Sequence, residues 1–261
     1  WRLPITIIIS IFSFFVIILP FITVAVTSFT VNMGKPLTFS NLSLKAWEKV
    51  FSRASIISST TNSFLTATAA AFFGILISCV MAYLLQRTNV KGKRIPDFLI
   101  TLGSGTPSVT IALALIISMS GKFGINIYNT LTIMVVAYMI KYMLMGMRTV
   151  VSAMSQVHPS LEEAAQISGA NWLRMLKDVT LPLIGASIVA GIFLIFMPSF
   201  YELTMSTLLY SSNTKTIGYE LYIYQTYHSQ QVASALATAI LLFVILVNYI
   251  LNKLTKGQFS I

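Results

Sequence analysis

Leu161-Glu-Glu-Ala-Ala-Gln-Ile-Ser-Gly-Ala-Asn-Trp-Leu-Arg-Met-Leu-Lys-Asp-Val-Thr-Leu-Pro182 is a polar, helix-forming insert between two strongly apolar stretches. Ser160 can cap a helix at its start, and Glu163 three residues on has the capping-box spacing. Pro159 precedes the cap. Glu162 and Glu163 fall in the first turn, where the helix dipole favours negative charge. Gly169 can take the left-handed conformation that ends a short helix. Asn171 can cap a second helix running from Trp172 to Asp178. Leu181-Pro182 then marks a break before the next apolar stretch. The spacing predicts a helix–glycine–helix elbow, with small Ala164 and Ala165 where another protein can approach closely.

The rest of the chain has a membrane composition. Of its 261 residues, 56% are hydrophobic and only 9% charged, with mean hydropathy +0.82. Soluble domains carry roughly 25% charged residues, and seven acidic side chains cannot solubilise a globule of this size. A spanning helix needs about 20 mainly apolar residues. The charge-free stretches are 3–34, 54–86, 98–121, 123–140, 179–201 and 221–252. Each can hold one span, which predicts an all-α protein with six transmembrane helices. Alternating ten-residue segments of the barrel type are not seen. The first stretch is too long for a signal peptide, and no small-residue cleavage site follows it. Trp1 in place of an initiator Met predicts that residues precede it. The chain divides into a first span with its outer loop (1–58), a five-span core (59–252) containing the elbow loop 156–180, and a tail (253–261).

Charge predicts the orientation. Arg87, Lys91, Lys93 and Arg94 make one loop strongly basic, Arg148, Arg174 and Lys177 flank the elbow, and Lys253 and Lys256 follow the last span. The positive-inside rule places these loops and both termini in the cytoplasm of a multi-pass inner-membrane protein. The first outer loop dissents, with Lys35, Lys45, Lys49 and Arg53. The net charge of +10 is therefore mostly a topology signal. Basic residues do not cluster on a soluble face, so nucleic acid is not an expected partner. Cys79 is the single cysteine and sits inside a span, where packing is its ordinary role. Metal-type Cys/His spacing is lacking, and without a Walker-type glycine loop the chain is not expected to hydrolyse ATP.

The elbow resembles the EAA loop of binding-protein-dependent (type I) ABC importer permeases. That pattern is E-A-A, three residues, G, nine residues, I, one residue, L-P. Here it reads Glu163-Ala164-Ala165, Gly169, Val179 and Leu181-Pro182, with Val in place of Ile, over 20 positions. The similarity continues through Asn62-Ser-Phe-Leu-Thr-Ala, Ala82-Tyr-Leu-Leu-Gln-Arg-Thr88 and Gly105-Thr-Pro-Ser-Val-Thr-Ile-Ala-Leu-Ala-Leu115, covering about 62–252. The segment from Glu202-Leu-Thr-Met-Ser to Thr214-Lys-Thr-Ile-Gly218 is similar to the ferric-iron branch, whose permeases often fuse two such halves; polyamine, phosphonate, thiamine and sulfate permeases share the architecture and differ here.

The resemblance implies a MetI-like six-helix bundle that is one half of a two-half permease. It implies two ATPase subunits that bind ATP and magnesium, a second permease half (identical, distinct or fused), an extracytoplasmic solute-binding protein and surrounding lipid, with no cofactor in this chain. The residues implied to meet the ATPase are Glu162, Glu163, Ala164, Ala165, Gly169, Ala170, Leu181 and Pro182. The implied function is ATP-driven import by alternating access, ferric iron being the expected solute and polyamine, phosphonate or another small solute the alternative. A secondary transporter needs intramembrane charge pairs or repeated halves, a channel needs a filter loop, and a passive scaffold has no use for the elbow.

Candidate solute-pathway residues are few. Glu202, near the outer end of the fifth span, marks a pathway because carboxylates at that depth are costly. With Tyr201 it offers oxygen ligands suited to a hard trivalent cation, and Pro198 is expected to break the helix before them; a solvated helix-end Glu is the plainer reading. Pro107 is expected to kink the third span and free backbone carbonyls, tolerated where they line a wet cavity. Lys141 is the only cation well inside a span and is expected to snorkel or to gate. Arg148 reads as an interface anchor and His158 as a connector. Glu220 with Tyr219, Tyr222, Tyr224, Tyr227 and His228 forms an aromatic outer segment, read as belt and docking surface ahead of an iron relay.

Overall fold

The computed structural model describes residues 2–254, and these are predominantly helical, with isolated β-bridges rather than strands among them. Five helices are long and apolar enough to cross a membrane: α1 (Leu3–Thr27), α3 (Ala54–Arg87), α6 (Leu131–Gln156), α8 (Trp172–Phe200) and α11 (Gln230–Lys253). A sixth span exists only as a bent pair, α4 (Arg94–Gly105) and α5 (Ser108–Ser118), which meet at 111°. Short helices fill the connections: α2 (Lys45–Ser52), α7 (Pro159–Ile167), α9 (Thr204–Leu209) and α10 (Ile217–Tyr227). Trp1 and the tail beyond Leu254, including Lys256, lie outside the described residues.

Three spans make the core. Helices α3, α6 and α8 pack on one another where small residues let their backbones close in. A Cβ built on Gly146 would lie 2.7 Å from the Ile195 side chain and 3.2 Å from the Gly191 carbonyl oxygen. A Cβ on Gly191 would lie 2.7 Å from Ile75 and 3.4 Å from the Gly146 Cα. Lipid gives apolar helices no reason to associate by burial alone, so contact at small residues is how spans hold together. In contrast, α1 leaves Leu3, Ile8, Phe12 and Phe15 exposed and touches the rest mainly where its last turns meet α11.

Prolines shape the spans in two different ways. Both Leu19-Pro20 and Leu181-Pro182 follow a five-residue π turn, Phe14–Ile18 and Leu176–Thr180. In each, the Leu N–H closes the wide turn onto the first residue of it, Phe14 or Leu176. The wide turn rearranges the ladder just before a residue that has no N–H to give. Hence the expected break at Leu181-Pro182 is absent: the second elbow helix does not stop at Asp178 but continues into the span as α8. Pro198 also sits inside the helix, which runs on to Phe200. Pro107 behaves differently and separates α4 from α5 completely.

Other boundaries shift as well. The fourth span begins at Leu131, not at Phe123. Residues 121–130 form a turn in which Gly121 and Gly124 take positive φ and the Ile125 carbonyl accepts from the Gly121 N–H at 3.0 Å. The helix then continues past Lys141 and Arg148 to Gln156, because both cations find partners. The stretch 221–252 divides at His228 into α10 and α11. The amphipathic reading of 44–51 corresponds to α2, whose Ala46 and Val50 are buried. Trp47 stacks between Phe29 and Phe51 and donates to the Ser28 hydroxyl at 3.1 Å.

Candidate functional site: the elbow and the opposite end

The elbow projects from the ends of α6 and α8. His158, not Ser160, caps α7: its Nδ1 accepts from the Ser160 N–H at 3.2 Å, and the Ser160 hydroxyl is paired with the same nitrogen. A Pro at the first helical position suits that arrangement. At the far end Gly169 has φ +88°, its N–H reaches the Gln166 carbonyl and the Ala170 N–H reaches the Ala165 carbonyl. This is the Schellman pattern, which satisfies the last carbonyls of the helix. Asn171 Oδ1 then accepts from the Arg174 N–H at 2.8 Å and starts α8. Glu163, Ala164, Gly169, Leu181 and Pro182 are exposed, and Ala165 and Ala170 are half-buried. Ile167 is 88% and Leu173 67% exposed, so the elbow carries an apolar surface without a partner among the described residues.

Glu162 departs from the expectation of an exposed docking residue, for it is buried. Its Oε2 lies 2.9 Å from Arg87 Nε and its Oε1 accepts from the Thr180 hydroxyl at 2.9 Å. The same Arg87 donates to the Met154 and Val157 carbonyls at 3.3 and 2.7 Å, the last carbonyls of α6. Beside it Trp172 Nε1 donates to the Tyr83 hydroxyl at 2.8 Å.

At the opposite end of α8, Glu202 is also buried and not solvated. Tyr142 donates its hydroxyl to one carboxylate oxygen, and the Met205 N–H donates to the other at 3.0 Å. The Ser206 hydroxyl bonds the Glu202 carbonyl at 2.6 Å and is itself paired with the Tyr138 hydroxyl at 2.8 Å. Tyr201, next to Glu202, is 41% exposed. Among the described residues no three His, Cys, Asp or Glu side chains form a metal-holding group. Glu220 is buried, with the Ser59 hydroxyl at 3.5 Å, and Tyr224 accepts from Arg53 at 2.9 Å. Burial, reinforced by Tyr210, pushes the Tyr219 phenol up to about 12, so it is a neutral hydroxyl at physiological pH. Within the aromatic outer segment Tyr219, Glu220 and Tyr224 are thus packed, while Tyr222, Tyr227 and His228 are exposed.

Pro107 and Lys141, two separate candidates in the sequence, are joined. Lys141 Nζ donates to the Ser104 and Thr106 carbonyls at 3.0 and 2.8 Å. It neither snorkels nor stands alone. Arg148 pairs with Asp97 at 3.0 Å and donates to Thr101 at 3.1 Å, tying α6 to α4 where an interface anchor was expected. Between α6, α7 and α8 lies an open groove of about 1000 Å³. Thr149, Ser152, Gln156, His158 and Ser187 give it a hydroxyl- and amide-bearing wall. Sequence reading missed Arg87, Thr180, Tyr142 and Asp97 as site residues. Arg87 was visible only as one charge in a basic loop, and nothing in spacing links it to a residue 75 positions away.

The chain matches the family described as "binding-protein-dependent transport system inner membrane component" over residues 74–257. It is 27% identical over 255 residues to a trehalose/maltose transport system permease protein of Thermococcus litoralis, covering 91% of this chain and 90% of that one. It is 24% identical over 197 residues to an Fe(3+)-transport system permease protein of Haemophilus influenzae, covering 76% of this chain. The chain spans well under half the length of that relative, 39%, and 30% of a further ferric permease of the same organism. A sulfate transport system permease protein of Salmonella typhimurium is 24% identical over 254 residues, 87% of this chain and 92% of that one. In fold, the chain is similar to a bacterial ABC transporter structure involved in alginate import, with TM-score 0.78 and 15% identity over 100% of this chain and 96% of that one. The methionine ABC transporter in an inward-facing conformation gives TM-score 0.63 and 15% identity over 78% and 96%.

Proposed function

The chain belongs to the binding-protein-dependent transport system inner membrane components, the permeases of ABC importers, and from that premise we propose that it passes ferric iron inward, driven by ATPase subunits that grip the elbow 160–178. One observation carries the reading of the elbow. A capped, glycine-terminated helix exposes Glu163 and Ile167, and Leu173 follows on the next helix, with nothing among the described residues to cover them. ATP and magnesium belong to the separate ATPase, and this chain supplies no nucleotide site. A second permease half completes the pathway, and a soluble binding protein delivers the solute at the end carrying Glu202.

Import then follows from rigid-body motion. Two halves rock between outward- and inward-open shapes, and nucleotide-driven closure of the ATPases draws the elbows together. Such a transition is biased only by contacts that differ between the two states. The uncovered face of α1 and the open groove between α6 and α8 are the surfaces that a second half and the solute path can use.

Ferric iron as the solute is supported by the ferric permeases among the relatives and by the likeness of 202–218 to that branch. Relatives named for sulfate and for trehalose/maltose match as much of the chain or more. The deciding experiment measures thermal stabilisation of the cognate binding protein by ferric ion, sulfate, maltose and spermidine. Stabilisation by ferric ion alone is expected; stabilisation by one of the others reassigns the solute and leaves the elbow untouched.

A further inference from the structure

We propose that Arg87 is the joint that transmits elbow motion to the spans. This rests on the reading of the elbow as the ATPase handle, and it concerns a residue outside that handle's exposed surface. One guanidinium connects elements that lie far apart in the sequence or meet only at the non-helical Val157–His158. Its Nε holds Glu162 of α7 at 2.9 Å, while one of its terminal nitrogens holds the Val157 carbonyl at 2.7 Å and the Met154 carbonyl at 3.3 Å. Arg87 itself is the last residue of α3. Through Glu162 and the Thr180 hydroxyl the link extends to the π turn at the base of α8. Thus α3, α6 and α8, the three spans that pack as the core, all meet at this one ion pair.

The chemistry suits a rigid joint. Both side chains of the pair are 9% exposed, so water screens the charges weakly and cannot readily replace either partner. Arginine's planar fork binds carboxylate and carbonyls in fixed directions, which a lysine's single ammonium does not. The elbow's own connections to the spans are the turn at Val157–His158 and the π turn 176–180. The π turn keeps Leu173 in one continuous helix with the span, whereas α7 joins α6 only through the non-helical Val157–His158. With Arg87 in place, force on Ile167 moves the ends of α3 and α6 together with α7. Without it, α7 can swing while the spans stay. Glu163, the acidic residue of the family pattern, faces outward, so the inward Glu162 does a different job.

The test uses the full permease assembled with its ATPase subunits and needs no knowledge of the solute. Hydrogen exchange is followed in the ADP state and with a non-hydrolysable ATP analogue. In the wild type, the nucleotide-dependent change in protection is expected in α7 and also at 84–88 and 154–157. In Arg87→Gln, co-purification of the ATPase and the rate of ATP hydrolysis are expected to persist. The response at 84–88 and 154–157 should shrink about fivefold or more, the low end of ordinary coupling energies, while that of α7 remains. Arg87→Lys should retain part of the response, and Glu162→Gln, which weakens the same link from the α7 side, should reduce it if Arg87→Gln does not fold. An undiminished span response in Arg87→Gln, or in Glu162→Gln where that variant alone folds, overturns the proposal. Loss of the ATPase from Arg87→Gln alone overturns it too, by making Arg87 part of docking. A wild-type complex that never retains an ATPase overturns the reading of the elbow, and this inference with it.

Discussion

The ammonium of Lys141 lies 2.8 Å from the carbonyl oxygen of Thr106, the residue before the proline at which a span breaks. Gly105 ends α4; the Thr106 N–H serves the Leu102 and Gly103 carbonyls, and the Lys141 ammonium serves those of Ser104 and Thr106. A cation at a helix C-terminus also meets the negative end of the dipole. The intramembrane lysine and the intramembrane break therefore satisfy each other. Lys141→Met keeps the stem and removes the ammonium, leaving two carbonyls without their donor at roughly 1–3 kcal/mol each if no water replaces it. A lower unfolding temperature in detergent is expected, with Lys141→Arg close to wild type. A Met variant as stable as the parent would mean that the carbonyls have another partner.

Glu202 is expected to act chiefly through the structure it holds. Its carboxylate serves the Tyr142 hydroxyl and the N–H of Met205 in the first turn of α9. Glu202→Ala strands both donors, a loss of about 2–6 kcal/mol at roughly 1–3 per group. Folded, ATPase-bound complex should decline, and ferric uptake should decline in step with it. Tyr142→Phe should show a smaller version of the same effect. Uptake falling further than the amount of complex would instead give Glu202 direct contact with the solute.

Much of this architecture was written in local patterns. Hydropathy alone marks the spans, because lipid demands a long apolar run whatever the helix packs against. The elbow was legible because caps and a left-handed glycine act over three or four residues: Gly169 ends α7 and Asn171 starts α8 as the spacing requires. What stayed hidden depends on distant partners. Lys141, Arg148 and Glu202 look costly or solvent-bound in isolation, yet each meets a group 35 or more positions away. The same blindness cut the fourth span short, since its end was read from charges that turn out to be paired. Glu162 and Glu163 are equivalent in sequence, and only the turn of α7 against Arg87 sends one inward and the other out. Pro182 misled for a local reason: a π turn absorbs it, as another does Pro20, and no composition rule announces a π turn.

The outward face of the elbow is expected to fail selectively. A side chain at Gly169 would meet no atom within 4 Å, so the obstacle is the backbone, with φ +88°. Holding a β-branched residue there costs about 1–2 kcal/mol, enough to distort a short helix end without unfolding the bundle. Gly169→Val and Glu163→Lys should accumulate in the membrane at normal levels. Both should lose co-purifying ATPase and, with it, uptake. Normal uptake in either variant would remove that residue from the coupling surface.

Two glycines should respond to alanine with opposite signs. At Gly218 a Cβ would lie 2.2 Å from the Glu202 carbonyl oxygen and 2.8 Å from its carbon. Those are backbone atoms of the segment that Tyr142, Met205 and Ser206 already fix, so they cannot yield as a side-chain tip would. Gly218→Ala must therefore push α10 away from 202–203, at a cost of about 1–3 kcal/mol or more. At Gly185, inside α8, nothing lies within 4 Å of the added carbon. Alanine is the better helix former there by roughly 1 kcal/mol, although partners in the assembled importer can reduce the gain. Thermal unfolding of the isolated permease in detergent should show Gly218→Ala melting lower and Gly185→Ala melting level or higher. Equal melting of Gly218→Ala and the parent would show that the contact between α10 and the Glu202 backbone is looser than the 2.2 Å approach implies.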